Sequence, residues 1–198
     1  MPRSSLGAVA RSIALAAVVF LVTLVSARAD AQTFGAKGGL NFSTITIEDF
    51  DTAGKASAVA GGFVRMPLFV GIGLQVEGLF AQRRVTFEDT VRDDLNYVEI
   101  PLLARYRVMT VGGRAVHVLG GGVLGLRLSA REIISGQSYD IKEAYEPVEV
   151  GAAIGGEVAL TRHWLVDVRY VFGMSNAYNV PGFEGKFRTL QVTVGYGF

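Results

Sequence analysis

The sequence lacks cysteine altogether, and it holds only two histidines and one tryptophan in 198 residues. Without cysteine the chain has neither disulfides nor thiolate ligands for a metal, and two histidines alone make a poor metal site. Acidic and basic residues are nearly balanced at 18 and 19, so the charge excess of a nucleic-acid-binding protein is missing. No phosphate-binding Gly-x-x-x-x-Gly-Lys loop is present. We expect no cofactor, no metal ion and no nucleic-acid partner.

Long apolar runs are also missing, apart from one near the N-terminus. Ile13 to Val25 is uncharged and almost wholly apolar, Arg3 and Arg11 add positive charge, and Ala29-Asp30-Ala31 has the small-x-small form of a cleavage site. A membrane-anchoring helix is the alternative, but a run of 13 residues falls short of the roughly 20 that span a bilayer. The pattern predicts a cleaved secretory signal peptide, residues 1–31, which carries three Arg and one Asp. One domain, residues 32–198, then remains, with 16 basic and 17 acidic residues.

The mature sequence alternates apolar and polar residues with period two, which is typical of β-strands. This alternation predicts eight strands: Thr33–Ser43, Ala56–Met66, Val70–Phe87, Tyr97–Met109, Ala115–Leu128, Val148–Leu160, Trp164–Ser175 and Lys186–Phe198. Most reach the ~9 to 11 residues that a tilted membrane strand needs. Short connections alternate with four long ones, Thr44–Lys55, Glu88–Asn96, Ser129–Pro147 and Asn176–Gly185. The fold class is therefore all-β, an eight-stranded antiparallel up-and-down barrel with both termini at the short-turn end.

The two faces of the predicted strands differ in a way that indicates lipid outside. In the seventh strand Trp164, Val168 and Phe172 share one face, and Asp167 and Arg169 share the other. The polar face is rich in glycine across the strands, which suits the cramped interior of a small barrel. A soluble lipocalin-like barrel with its apolar face inward is the alternative. Tyrosine, tryptophan and phenylalanine near strand ends predict an interfacial aromatic girdle of Tyr106, Trp164, Tyr170, Tyr196 and Phe198.

Lipid on the outside requires the sheet to close, because unpaired backbone groups are costly in hydrocarbon. We therefore predict a ladder between Ala36–Phe42 and Leu190–Tyr196. Phe63 and Arg65 fall on the same face of the second predicted strand, so the sequence does not show which face of this strand points into the barrel.

Charged residues on the inward face predict a network of ion pairs in the lumen. Its predicted members are Glu77, Arg83, Glu99, Arg105, Arg107, Arg127, Glu157, Asp167 and Arg169, and Lys37 is a possible further member. A path for protons or ions is the alternative interpretation. We favour the network, because a buried charge without a partner is costly and eight strands leave room for little besides side chains.

Four stretches resemble the family of small outer-membrane β-barrel proteins with PorT-like members. They are GAKGGLNFS at Gly35–Ser43, LQVEGLFAQ at Leu74–Gln82, YVEIPLLARY at Tyr97–Tyr106 and the terminal Phe198. Relatives tend to show Tyr-Ser-Gln where this chain has Phe80-Ala81-Gln82. The resemblance implies an eight-stranded barrel in the outer membrane, inserted by the outer-membrane assembly machinery. It implies no single biochemical activity.

Catalysis has few candidate residues. His117 lies near the short-turn end of the fifth strand and His163 in the last short turn, and neither has a serine at a strand spacing that would bring a hydroxyl within about 3 Å. The long connections are acidic at Thr46–Asp51 and Phe87–Asp94. Clustered carboxylates can bridge a divalent cation to lipopolysaccharide phosphates, although acidic loop tips are more often simply solvated.

Together these features predict a monomeric, non-enzymatic outer-membrane barrel with a packed lumen. Its role would lie in envelope structure or in surface interaction through the long loops. The expected partners are outer-membrane lipid and lipopolysaccharide, and the assembly machinery during insertion. The first alternative is a narrow channel or small apolar-solute transporter, which would need an open lumen or a lateral gap. The second alternative is a lipid-modifying barrel enzyme.

Overall fold

The computed structural model describes residues 32–47, 50–51, 53–87, 91–134, 137–178 and 185–198. The predicted signal peptide lies outside these residues. Within them, no helix is both long and apolar enough to cross a membrane.

The described chain is almost entirely β-structure. Its strands are β1 (Thr33–Ile47), β2 (Phe50–Asp51), β3 (Ala53–Phe69), β4 (Ile72–Phe87), β5 (Val91–Val111), β6 (Arg114–Ile134), β7 (Gln137–Asp140), β8 (Val148–Ala159), β9 (Trp164–Gly173) and β10 (Lys186–Gly197). One 3-10 turn, Lys142–Ala144, lies between β7 and β8. The strands are antiparallel and follow the order β1-β3-β4-β5-β6-β8-β9-β10 around a single sheet. The short β2 and β7 pair with the outer ends of β1 and β6.

The sheet closes on itself through β1 and β10. Ala36 lies opposite Tyr196 and Phe42 lies opposite Leu190, as the predicted ladder required. The prediction of an eight-stranded antiparallel barrel is thereby confirmed. Closure leaves each of the eight described barrel strands with a neighbour on both sides, which is the condition for a sheet in hydrocarbon.

Several strand boundaries differ from the prediction, mostly at the long-loop end. The predicted loops at 44–55, 88–96 and 129–147 are too long, because β1 continues to Ile47, β5 begins at Val91 and β6 ends at Ile134. Arg92 to Asn96 pair with Ile133 to Ser129, so two polar segments satisfy each other's backbone groups above the apolar wall. At the other end, the predicted third strand starts too early. Val70 and Gly71 form the turn before β4, and Gly71 has a φ of 78°, which glycine adopts readily.

The burial pattern places charges inside the barrel and apolar side chains outside. In β9, Asp167 and Arg169 are fully buried, whereas Trp164, Val168 and Phe172 are each more than 40% exposed. This is the reverse of a soluble protein, in which charged residues are almost never fully buried unless paired. The outer face is therefore suited to lipid.

In β3, whose inward face could not be assigned from the sequence, Phe63 and Arg65 both point into the barrel. Phe63 is buried, and the guanidinium of Arg65 stacks on its ring at 4.5 Å. The ring fills the space beside Gly35, where an added Cβ would meet the ring at 2.2 Å. Stacking lets an aromatic ring and a cation share one side of the strand.

Val168→Arg tests the facing of β9 directly. Val168 lies midway along the outer face between Trp164 and Phe172, so arginine there would place a charge near the bilayer centre. We expect the substitution to lower the free energy of unfolding in lipid by roughly 2–4 kcal/mol. Urea titration in lipid vesicles measures the loss. Wild-type stability would show that the assigned facing of β9 is wrong.

Candidate functional site

The centre of the lumen holds a cluster of four buried charges, here called the central cluster. The ammonium of Lys37 lies 3.1 Å from Glu77 and 2.9 Å from Asp167. The guanidinium of Arg169 lies 2.9 Å from each of the same two carboxylates. Each cation thus contacts both anions, and all four side chains are at most 1% exposed. Two positive and two negative charges compensate each other where water is excluded.

A second cluster lies toward the short-turn end and is built around Glu157. Arg105 donates to Glu157 at 2.9 Å, and Arg65 also pairs with this carboxylate. Arg105 additionally contacts Nδ1 of His117 at 3.1 Å. Gln75 accepts a hydrogen bond from Arg65 at 2.7 Å and donates to Glu77, so it links this cluster to the central one.

A third cluster lies toward the long-loop end and is built around Arg83. Its guanidinium donates to Glu99 and to Glu149, both at 2.7 Å. The same group stacks on the ring of Tyr97 at 4.4 Å and on that of Phe187 at 4.8 Å. The hydroxyl of Tyr97 donates to Glu149. The buried arginine is therefore held by two carboxylates and two aromatic faces.

An apolar cap closes the lumen above Arg83. It consists of Ile45, Val85, Leu95, Tyr97, Ala130, Tyr145, Ala177 and Phe187, with Ile141, Ala144 and Tyr178 packed against it. These residues come from the outer ends of the strands, from the connection between β7 and β8, and from the connection between β9 and β10. Among the described residues, hydrophobic side chains fill most of the barrel at this end.

Tyr145 anchors the apolar cap. It is 1% exposed, its ring lies 4.9 Å from that of Tyr178, and its hydroxyl donates to Asp93 at 2.6 Å. Burial, reinforced by the Asp93 carboxylate, raises the pKa of Tyr145 well above its usual value. The hydroxyl therefore stays protonated and keeps its donor role throughout the physiological pH range.

Seven of the nine lumen charges named from the sequence take part in these ion pairs: Glu77, Arg83, Glu99, Arg105, Glu157, Asp167 and Arg169. The other two, Arg107 and Arg127, form no ion pair with a carboxylate of the described residues. Arg107 is exposed at the short-turn end, beside an irregularity in the β5–β6 ladder. Arg127 donates to the carbonyl oxygens of Tyr145 and Glu146 at 3.2 Å, because the connection to β8 folds back over it.

Arg65 and Glu149 were missed as members of the clusters. Glu149 shares its parity with Gly151, Ala153 and Glu157 on β8, so the alternation alone could have placed it inside. Arg65 could not be placed this way because Phe63 occupies the same face.

The two histidines occupy separate places. His117 is buried in the lumen beside Arg105, and within the described residues its hydrogen bond is to this cation rather than to a hydroxyl. His163 lies in the last short turn, where its Nδ1 is 2.9 Å from the carbonyl oxygen of Gly197. The described part of the chain contains no group of three or more His, Cys, Asp or Glu side chains that could hold a metal ion.

The residues named as an aromatic girdle lie on the outside at two levels. Tyr196 contacts Trp164 and Phe198, with ring centroids 5.1 Å and 5.4 Å apart, at the short-turn end. Tyr106 also lies near the short-turn end, and its side chain is 56% exposed. Tyr170 packs against Phe172 at 4.7 Å, nearer the long-loop end of β9.

Comparisons with known proteins agree with this architecture. Residues 30–179 match a family model described as outer membrane protein beta-barrel domain. The fold is similar to the crystal structure of Ail, the attachment invasion locus protein of Yersinia pestis, with a TM-score of 0.54 at 18% identity over 85% of this chain and 99% of that chain. It is also similar to Neisserial surface protein A, with a TM-score of 0.54 at 12% identity over 84% of this chain and 97% of that chain. No curated protein sequence matches the chain.

Proposed function

The chain belongs to the outer membrane protein beta-barrel domain family, and we propose that this outer-membrane barrel is closed to solutes and non-enzymatic. Its role is in envelope structure or in surface interaction, through the connections and strand extensions at its long-loop end. In barrels of this type the longer loops face the outside of the cell. The long-loop end is therefore the part that meets other molecules.

The filled lumen is the observation that carries this proposal. Arg83, Glu99 and Glu149 span the interior under the apolar cap, and the central cluster lies beneath them. A conducting barrel needs a continuous polar path, whereas here side chains that bind one another occupy the cross-section. This packing among the described residues argues against a channel or an apolar-solute transporter.

Planar bilayer recordings test the closed state. We expect the purified barrel to give a flat baseline after insertion, because the described residues of the apolar cap offer ions no polar path. A porin in the same bilayer serves as the positive control, and a heat-dependent gel shift of the same preparation shows that the barrel is folded. Reproducible unitary conductance from folded protein would contradict the closed lumen.

The non-enzymatic part of the proposal is supported by the surroundings of His117. A general base needs a nucleophile within hydrogen-bond reach, and this imidazole instead faces Arg105 and Glu157. We expect cells that overproduce the protein to contain unchanged lipid A by mass spectrometry. Modified lipid A that reverts with His117→Ala would overturn the proposal in favour of a lipid-modifying enzyme.

A further inference from the structure

The outer face of the barrel changes abruptly from apolar to charged at one level. On β4 the outward residues from Ile72 to Phe80 are uncharged, and Gln82 and Arg84 follow. Eight residue steps span about 27 Å along the strand, or about 20 Å along the axis at a tilt near 40°, close to the ~25 Å apolar band of such barrels. At the same levels, the other barrel strands also carry no outward charge among the described residues. Arg84 therefore lies at the depth of the lipid headgroups.

A row of charged residues crosses five strands, starting near this depth. The ladders pair Lys55 with Arg84, Arg84 with Asp94, Asp94 with Arg131, and Arg131 with Asp140. Residues paired directly across a sheet point to the same side, so all five lie on the outer face. Basic side chains thus outnumber acidic ones in the row.

The outer wall is concave where this row crosses β4 to β7. A groove of about 360 Å³, here called the headgroup groove, has Gln82, Arg84, Asp94, Asn96, Arg131 and Ser138 among its lining residues. Phe80 and Leu128 lie just below it on the apolar wall and are 43% and 52% exposed. A polar recess therefore opens directly above surface that acyl chains cover.

Two arginines in the groove keep donors available. Arg84 uses Nε to donate to Asp94 at 2.8 Å, and its two terminal nitrogens have no partner in the described chain. Arg131 is exposed and forms no ion pair with any described residue. Asp94 is also paired with Arg92 at 3.1 Å, so its charge is already compensated. Guanidinium groups bind phosphate oxygens with charge-assisted, often bidentate hydrogen bonds.

We propose that the headgroup groove binds a phosphate of an outer-leaflet glycolipid, lipid A, with Arg84 and Arg131 as its two phosphate ligands. The acyl chains of the same lipid lie against Phe80 and Leu128. This assignment is independent of whether the lumen conducts, because the groove is on the outside of the wall. It gives the barrel a bound lipid at a fixed position on its circumference.

Native mass spectrometry of the detergent-solubilised protein, titrated with bisphosphorylated lipid A, tests the proposal. We expect Arg84→Gln/Arg131→Gln to weaken binding by about tenfold or more, because two charge-assisted hydrogen-bond donors are removed. The matched control is Lys186→Gln/Arg188→Gln. It removes the same charge at the same level of β10, across the barrel from β5, and we expect a change of no more than about twofold. If the groove double variant fails the heat-shift test of folding, Arg131→Gln alone is measured instead, since Arg131 forms no ion pair with a described residue.

Two further titrations distinguish the lipid phosphate from a free anion and from the acyl chains as the bound group. Lipid A stripped of phosphate should bind the wild type as weakly as intact lipid A binds the groove variant, and inorganic phosphate should not displace bound lipid A. Equal loss in the two double variants would overturn the groove and leave only a general charge effect. Equal binding of stripped lipid would overturn the phosphate contact. Displacement by inorganic phosphate would replace the lipid with the free anion as ligand.

Discussion

Glu77→Gln is expected to destabilise the barrel by about 3–5 kcal/mol. Glu77 is 2% exposed and contacts both Lys37 and Arg169, so the substitution leaves two buried cations to share Asp167 alone. Removing one partner from a buried ion cluster costs far more than breaking an exposed pair, because the remaining charge cannot reach water. The amide keeps the size of the side chain, so the effect isolates the charge.

Urea unfolding of the protein refolded into lipid vesicles measures this loss. Glu143→Gln is the matched control, since it makes the same chemical change at an exposed position on the 3-10 turn and is expected to shift stability by less than about 0.5 kcal/mol. The double variant Glu77→Gln/Lys37→Gln should lose less than the sum of its single variants, because it removes one charge of each sign. Equal stability of Glu77→Gln and wild type would mean that the central cluster is not the closed ion network described here.

Gly39→Ala is expected to cost about 3 kcal/mol or to prevent folding. A Cβ at Gly39 would lie 2.0 Å from the carbonyl oxygen of Val192 and 2.7 Å from the Cα of Thr193. Those atoms belong to the backbone of β10, the strand that closes the barrel against β1, so they cannot move away without opening the seam. A methyl group at this point forces the two strands apart.

The neighbouring Gly38 provides the control. A Cβ there would come no closer than 3.6 Å to another atom, which is ordinary van der Waals contact. Gly38→Ala should therefore fold with a stability within about 0.5 kcal/mol of the wild type. The fraction of heat-modifiable protein after refolding compares the two variants. Equal folding of Gly39→Ala and Gly38→Ala would show that close approach of β1 and β10 does not require glycine at position 39.

The closed barrel could be predicted from the sequence because lipid and lumen impose a strict alternation within the membrane. The β1–β10 pairing was predicted to the residue from Ala36 to Phe42, since both terminal strands carry the pattern without interruption. The charges at Asp167 and Arg169 could be assigned to the lumen for the same reason. Wherever one face must be apolar, a register slip of one residue would reverse every side chain, so the pattern fixes the facing.

The outer end of the barrel could not be predicted in this way, because above the membrane neither face has to be apolar. There the strand residues from Arg92 to Asn96 resemble a polar loop, and their pairing with β6 depends on a partner far along the chain. Tyr145 lay in a predicted loop, yet it is buried because that connection folds back into the barrel mouth. The same fold-back satisfies Arg127 with backbone carbonyls instead of a carboxylate. These contacts depend on tertiary structure and leave no periodic signal.

The most direct test of the inverted barrel is electrophoresis of unheated and boiled protein after cell fractionation. A closed barrel with charges inside and an apolar wall outside should be recovered with the outer membrane, should require detergent, and should change its mobility on boiling. Recovery as a detergent-free soluble protein with no heat-dependent shift would contradict the account, because the exposed apolar wall could not remain in water.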